Sequence, residues 1–338
     1  MAENKRGKRS MIFGNRPIIT AWSSIVGKKE GEGPLKSHFD VVRKDAYFGE
    51  RSWEQGEKRM QQLALQTLAA KAGLGMDEVE LVFSGDLLNQ CIGSSFTLRN
   101  LHIPHFGLYG ACSTMAESLL LASMTVNAGY ADHVVAMTSS HFPSSERQYR
   151  FPLGYGGQRP QTAQWTVTGS GAVLVCKDGL GPTITSGTIG TVVDLGIKDA
   201  NNMGAAMAPA AFQTICAHLD DLSSAPEDYD LIVTGDLGQL GKNILMELFD
   251  KEGIHIGATL EDCGTMIFDP VRQDVHSGGS GCGCSAVTLC SVLLKKLQQN
   301  ELKNILFCGT GALLSPTSTQ QGLPIPGVCH AVAISSGR

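Results

Sequence analysis

Residues 107–129 read GLYGACSTMAESLLLASMTVNAG, and the fold follows from what this stretch does. A Gly-Ala turn delivers Cys112 to the mouth of an apolar segment that reads as a helix. A cysteine so placed faces unpaired backbone N–H groups and the positive end of the helix dipole, both of which favour a thiolate. The dipole contributes at most about 2 kcal/mol, which would bring a free thiol near ~8.5 down to roughly 7. The alternative for Cys112 is that of many free cysteines, a small apolar residue in the core.

Working outward from this turn, the chain repeats itself. The helical pattern SWEQGEKRMQQLALQTLAAKAGL is followed by the strand and exit turn DEVELVFSGDLLNQ. The same order returns as APAAFQTICAHLDDL and DYDLIVTGDLGQLG, so that SGDLLNQ from Ser84 is echoed by TGDLGQL from Thr234, 150 residues later. The Cys112 helix and the strand HVVAMTSSH have their counterparts in GCGCSAVTLCSVLLKKL and NILFCGTGALLS. A recurring series of helix, strand, turn, helix and strand predicts an α/β fold of two duplicated halves about a pseudo-twofold axis. The expected organisation is a basic flexible tail over 1–10, an N-terminal half over 11–178 and a C-terminal half over 179–338. Loops at the strand ends would then meet at the centre, where open α/β sheets place ligands.

Bulk composition narrows the function. The chain has 338 residues, 42% hydrophobic and 17% charged, with a net charge of -5, which excludes nucleic acid as the main partner. Ten cysteines without a CxxC pair read as reduced thiols, and the CxC of GCGCS fits no zinc knuckle. No metal site is expected. No apolar run reaches the roughly 20 residues of a membrane span, so any membrane association must pass through a partner.

The residues resemble the thiolase superfamily of thiolases and β-ketoacyl-acyl carrier protein synthases. GACSTMAESLLLA resembles the nucleophile turn and helix, MTSSHFPSSERQYRFP the MSxxP segment, and NNMGAAMAPAAFQ the MGxxPxxA helix start. HSGGSGCGCSA and CGTGA fall where the family has its GHPxGxSG and CxGGG loops. The resemblance implies thiolase-like halves layered αβαβα, a homodimer, and vestigial or pocket-lining catalytic positions at Cys112, His276 and Cys308. The chemistry looks incomplete, because the turn where synthases carry their first histidine reads VTGDLGQLG, and the family's Gly-His-Pro has become VHSGG around His276. Threonine, at or beside that first position, cannot act as a base at neutral pH.

GACSTMAESL, TGDLGQLG and HSGGSGCGCSAV together resemble more closely the stage V sporulation AD family of spore-forming bacteria. That resemblance implies a non-catalytic protein that binds dipicolinic acid (pyridine-2,6-dicarboxylate) during its uptake into the developing spore. It implies no cofactor beyond calcium carried with the ligand. The implied protein is peripheral to the spore inner membrane and has membrane proteins of the same sporulation system as partners. A flat dianion needs donors at both ends and a wall for its face. Candidate ligand residues are Cys112, Ser113 and Thr114 at the helix start, Thr234 and Asp236 in the second turn, and His141, Arg147 and Arg150 in the segment densest in arginine and aromatics. For each arginine a solvated loop or a subunit contact is the alternative. Two other functions stay open: a Cys112-dependent acyltransferase or condensing enzyme acting on acyl thioesters, and a scaffold with a vestigial pocket.

Overall fold

The computed structural model describes residues 4–149 and 158–337. The N-terminal half runs β1 (Lys5–Arg6), β2 (Ser10–Ile12), β3 (Ile18–Val26), β4 (Val41–Val42), α1 (Trp53–Ala72), β5 (Leu81–Asp86), α2 (Ile92–Leu98), β6 (His105–Leu108), α3 (Thr114–Asn127), β7 (His133–Ser140), α4 (Phe142–Tyr149), β8 (Trp165–Thr166) and β9 (Gly169–Cys176). The C-terminal half runs β10 (Thr183–Thr188), α5 (Met203–Leu222), β11 (Leu231–Thr234), α6 (Gly238–Lys251), β12 (Leu260–Asp262), α7 (Cys263–Ile267), β13 (Gly279–Ser280), α8 (Cys282–Thr288), α9 (Leu294–Gln298), β14 (Asn304–Ala312), α10 (Pro316–Gln320) and β15 (Gly327–Ser335). A π-helical stretch, Leu289–Leu293, joins α8 to α9.

Local chemistry explains the elements. In α1, Ser52 accepts the Gln55 N–H at its start, Gly73 closes it in a left-handed conformation, and Met60, Ala64, Leu65 and Leu68 bury one stripe. Helix α3 buries residues on nearly all sides, as a helix between two sheets must.

The main sheet has the order β12-β11-β14-β15-β10-β3-β9-β7-β5-β6, and it reads the same from either end. Two parallel pairings are followed by two antiparallel ones in each half, and along this order the halves join at β10 and β3, where Thr183 pairs with Ile18. The register is repeated too: Leu81 lies opposite Val134, and Leu231 lies opposite Ile305. Helix α1 covers the outer face of β3, β7 and β9, and α5 covers β10, β14 and β15. Between the sheets lie α3 and α8, each touching strands of both halves. The result is the five-layered αβαβα sandwich. Strand alternation divides the core accordingly: Ile305 and Phe307 point to the central layer, Leu306 and Cys308 to the outer one.

The opening stretch departs from the expected basic tail. From residue 4 it is a hairpin, with β1 on β2 and β2 on β10 of the opposite half. The backbone N–H groups of Lys8 and Arg9 and the Ser10 hydroxyl donate to the Asp221 carboxylate at 3.3, 3.2 and 2.9 Å. An edge strand with free backbone groups and an acceptor at its end holds the segment, which composition alone does not reveal. The boundary drawn at 178/179 falls in the turn between β9 and β10.

Candidate functional site

The turn before α3 is tight. Ala111 takes a left-handed φ of 50°, and a short 3-10 turn, Ala111–Ser113, carries Cys112 into the helix. Glycines let the other half close on it: a Cβ on Gly311 of β14 would lie 2.5 Å from the Gly110 carbonyl oxygen. The hydroxyls expected to greet an anion are instead turned back into the turn. Ser113 Oγ donates to the Gly110 carbonyl and Thr114 Oγ1 to the Ala111 carbonyl, both at 2.7 Å, so neither proton is offered to a ligand.

What faces Cys112 from the second half is Asp236, just beyond β11. Its carboxyl accepts the Gly281 N–H and the Thr310 hydroxyl, each at 2.9 Å, and it is completely buried. Burial raises Asp236 to about 7, against which the bonds from Cys112, Gly281 and Thr310 pull down. The Cys112 thiol is pushed well above the ordinary range, first by burial and then by the Asp236 charge. This reverses the expectation of a thiol lowered toward neutrality. A dipole effect of at most about 2 kcal/mol is outweighed once the sulfur is enclosed beside a carboxyl.

The other expected site residues are dispersed. Thr234 turns toward β12, where its hydroxyl donates to Asp262 Oδ2 at 2.7 Å. Cys308 sits on the outer face of β14, beside Cys329 and against α5, in the hydrophobic core of that layer. Its neighbour Thr310 reaches the site through Asp236. His276 bonds Asp274 at 3.0 Å in the loop before β13 and does not line the cleft. His141 is buried with its Nε2 on the Ala46 carbonyl at 2.7 Å and its ring edge on Phe48, and burial lowers it to about 4, so it is neutral. Arg147 pairs with Glu54 over the Trp53 ring, on the outer surface. Arg150 lies outside the described residues. Of the residues singled out in the sequence, the structure therefore brings Cys112 and Asp236 together.

A cleft of about 440 Å³, counted out to its mouth, opens beside Cys112. Its walls include Tyr109, Tyr149, Leu87, Met203, Ala312 and Leu314, with Ser145, Glu146, Thr166 and Ser280 as polar points. The hydroxyls of Tyr109 and Tyr149 are in contact, and Tyr149 also donates to the Leu87 carbonyl at 2.8 Å. The Ser145 hydroxyl is buried without a hydrogen-bond partner among the described residues, and Thr166 Oγ1 donates to Glu146 at 3.0 Å. Sequence reasoning missed Tyr109, Ser145 and Glu146. The available signal was position: Tyr109 borders the Cys112 turn, and Ser145, Glu146 and Tyr149 share one short helix.

Comparison with known proteins now adds to the geometry. Residues 7–335 match the family described as Stage V sporulation protein AD (SpoVAD). The chain belongs to the stage V sporulation protein AD family. Stage V sporulation protein AD of Bacillus subtilis (strain 168) is 42% identical over 326 residues, 96% of each chain. The architecture is shared with solved condensing-enzyme folds. A histidine-to-alanine variant of Xanthomonas campestris OleA superposes with a TM-score of 0.62 at 16% identity, over 96% of this chain and 99% of that one. The 3-oxoacyl-[acyl-carrier-protein] synthase III of Aquifex aeolicus VF5 gives 0.57 at 13% identity, over 94% and 99%. The chain is thus a SpoVAD-family sporulation protein on a thiolase-like fold. Among its described residues no helix is long and apolar enough to cross a membrane, and no group of three or more His, Cys, Asp or Glu could hold a metal ion.

Proposed function

We propose that the cleft beside Cys112 binds dipicolinic acid without turning it over, and that the protein thereby supports uptake of this dicarboxylate into the developing spore. The observation that carries the reading is the partner of Cys112. Condensation needs a thiolate and a group that moves a proton at the acyl carbon. Here burial, and then the facing Asp236 carboxyl, pushes the thiol well above its ordinary range, and His141 and His276 are engaged elsewhere. The cleft offers tyrosine rings for a flat ligand and the Ser145 hydroxyl as an unspent donor. Asp236, near 7, carries only part of a charge at neutrality and repels a carboxylate weakly.

In this reading the chain works as a homodimer at the spore inner membrane. It is held there by membrane proteins of the same sporulation system, and calcium enters only as an ion carried with the ligand. Isothermal titration of the full chain with dipicolinate is the test. Saturable binding that Cys112→Trp abolishes, together with no acyl-enzyme burst from acyl-coenzyme A, supports the reading. A burst that Cys112→Ala removes, without dipicolinate binding, would replace it with acyl transfer.

A further inference from the structure

On the other side of the β8–β13 ribbon from the cleft, two basic side chains gather on one indole, and His276 joins them through Asp274. The Lys29 ammonium sits 3.5 Å from the Trp165 ring centroid and the Arg159 guanidinium 4.7 Å from it. Phe142 stacks on the same indole, with centroids at 3.8 Å and planes 7° apart. Lys29 Nζ and Arg159 Nη2 both donate to the Asp274 carbonyl, at 3.1 and 2.8 Å. The Asp274 carboxylate takes His276 Nε2 at 3.0 Å and Arg159 Nη2 at 3.5 Å, yet its side chain is 77% exposed. The Arg159 and His276 side chains are 18% and 12% exposed, so the basic groups are set into the wall while the carboxylate lies outside it. Burial, followed by the nearby Arg159 charge, holds Lys29 below the usual lysine value. Two cations kept so close favour any further anion that reaches them.

The cluster is tied to the cleft by the ribbon itself. Gly279 pairs with Trp165 and Ser280 with Thr166, and Ser280 and Thr166 line the cleft. Successive residues of a strand point to opposite faces, so Trp165 faces the cations while Thr166 faces the cavity. We infer that Lys29, Arg159 and His276 form an outer oxyanion site that takes a carboxylate of the incoming dicarboxylate in place of Asp274. This inference rests on the binding reading of the cleft. The site then raises the local concentration of ligand against the repulsion of a chain with net charge -5. Lys29 supplies a point charge, Arg159 a directed fork, and the Phe142–Trp165 stack holds both at fixed height. Asp274, on an exposed turn, is the internal competitor that a ligand displaces.

The experiment is stopped-flow association of dipicolinate with the full chain at two salt concentrations, using wild type, Lys29→Gln/Arg159→Gln and Asp274→Asn. Melting temperatures confirm that the variants fold, and Lys29→Gln alone serves should the double variant unfold. The expected result is association slowed about tenfold in the double variant, with its salt dependence flattened. Dissociation should change less than twofold, and Asp274→Asn should associate faster than wild type. Unchanged association rate and salt slope in a folded double variant, or slower association in Asp274→Asn, overturns the outer site while leaving the cleft reading intact. Absence of equilibrium binding by the wild-type chain overturns the cleft reading and the outer site together.

Discussion

The Asp236 carboxyl faces the Cys112 thiol across the junction of the two halves, and each is buried. The carboxyl comes from the turn after β11 and the thiol from the turn before α3. Burial first, and then the Asp236 charge, disfavours ionisation of the thiol, while the bond that Cys112 gives Asp236 favours the carboxylate.

The first prediction concerns that thiol. In native protein at pH 8, alkylation of Cys112 by iodoacetamide should be at least about tenfold slower than that of an unfolded control. Asp236→Asn removes the nearby charge and should speed the reaction. Mass spectrometry of the Cys112 peptide measures both rates, and rapid alkylation of the wild-type protein would refute the protonated thiol.

Stability should decline from about pH 6.5 to pH 8. Glu30 and Asp236 are each raised to about 7 by burial, and Glu57 is raised by burial and by the neighbouring Asp86. A carboxyl raised in the folded state binds its proton more tightly there than in the unfolded chain. Its contribution is therefore complete below the unfolded value and is lost as pH rises through the folded one. His141, His218 and His330, each lowered to about 4 by burial, act in the opposite sense between about 4 and 6.5 and then cease to matter. Above that range the carboxyls act alone, for a loss of about 1–2 kcal/mol. Urea unfolding midpoints across pH 5–8 should show the decline, and Glu57→Gln should make it shallower.

Thr234→Val should separate structure from binding at the second turn. The substitution keeps the shape and removes the donor to Asp262, whose Oδ2 then retains the Leu237 N–H at 2.8 Å. A loss of about 1–2 kcal/mol is expected in denaturant unfolding, with dipicolinate affinity unchanged within twofold. A selective loss of affinity would return Thr234 to the site.

Close approach of the halves can be tested at Gly311. An added Cβ would meet the Gly110 carbonyl oxygen at 2.5 Å and Ser113 N at 3.0 Å, both backbone atoms of the Cys112 turn. Gly311→Ala should cost about 1–3 kcal/mol and displace Cys112 enough to weaken ligand binding. Gly257→Ala is the control, since its Cβ meets nothing closer than the Met246 methyl at 3.5 Å. Equal behaviour of the two variants in calorimetry and titration would contradict the close approach.

The sequence by itself determined the order of helices and strands, the duplication and the location of the Cys112 turn. These are written in local periodicity and in a motif repeated from Ser84 to Thr234, and both can be read without knowing which side chains meet. The structure decided what surrounds the sulfur. Cys308 and Thr310 share one face of β14, but Cys308 lies deeper along the strand, in the outer core, while Thr310, nearer its end, bonds Asp236. His276 precedes a glycine-rich loop whose course turns the ring to Asp274 and brings the Gly281 N–H to Asp236. Ionisation at the site is likewise a property of enclosure: the dipole at a helix start is legible in a sequence, but the burial that overrides it exists only after both halves have closed.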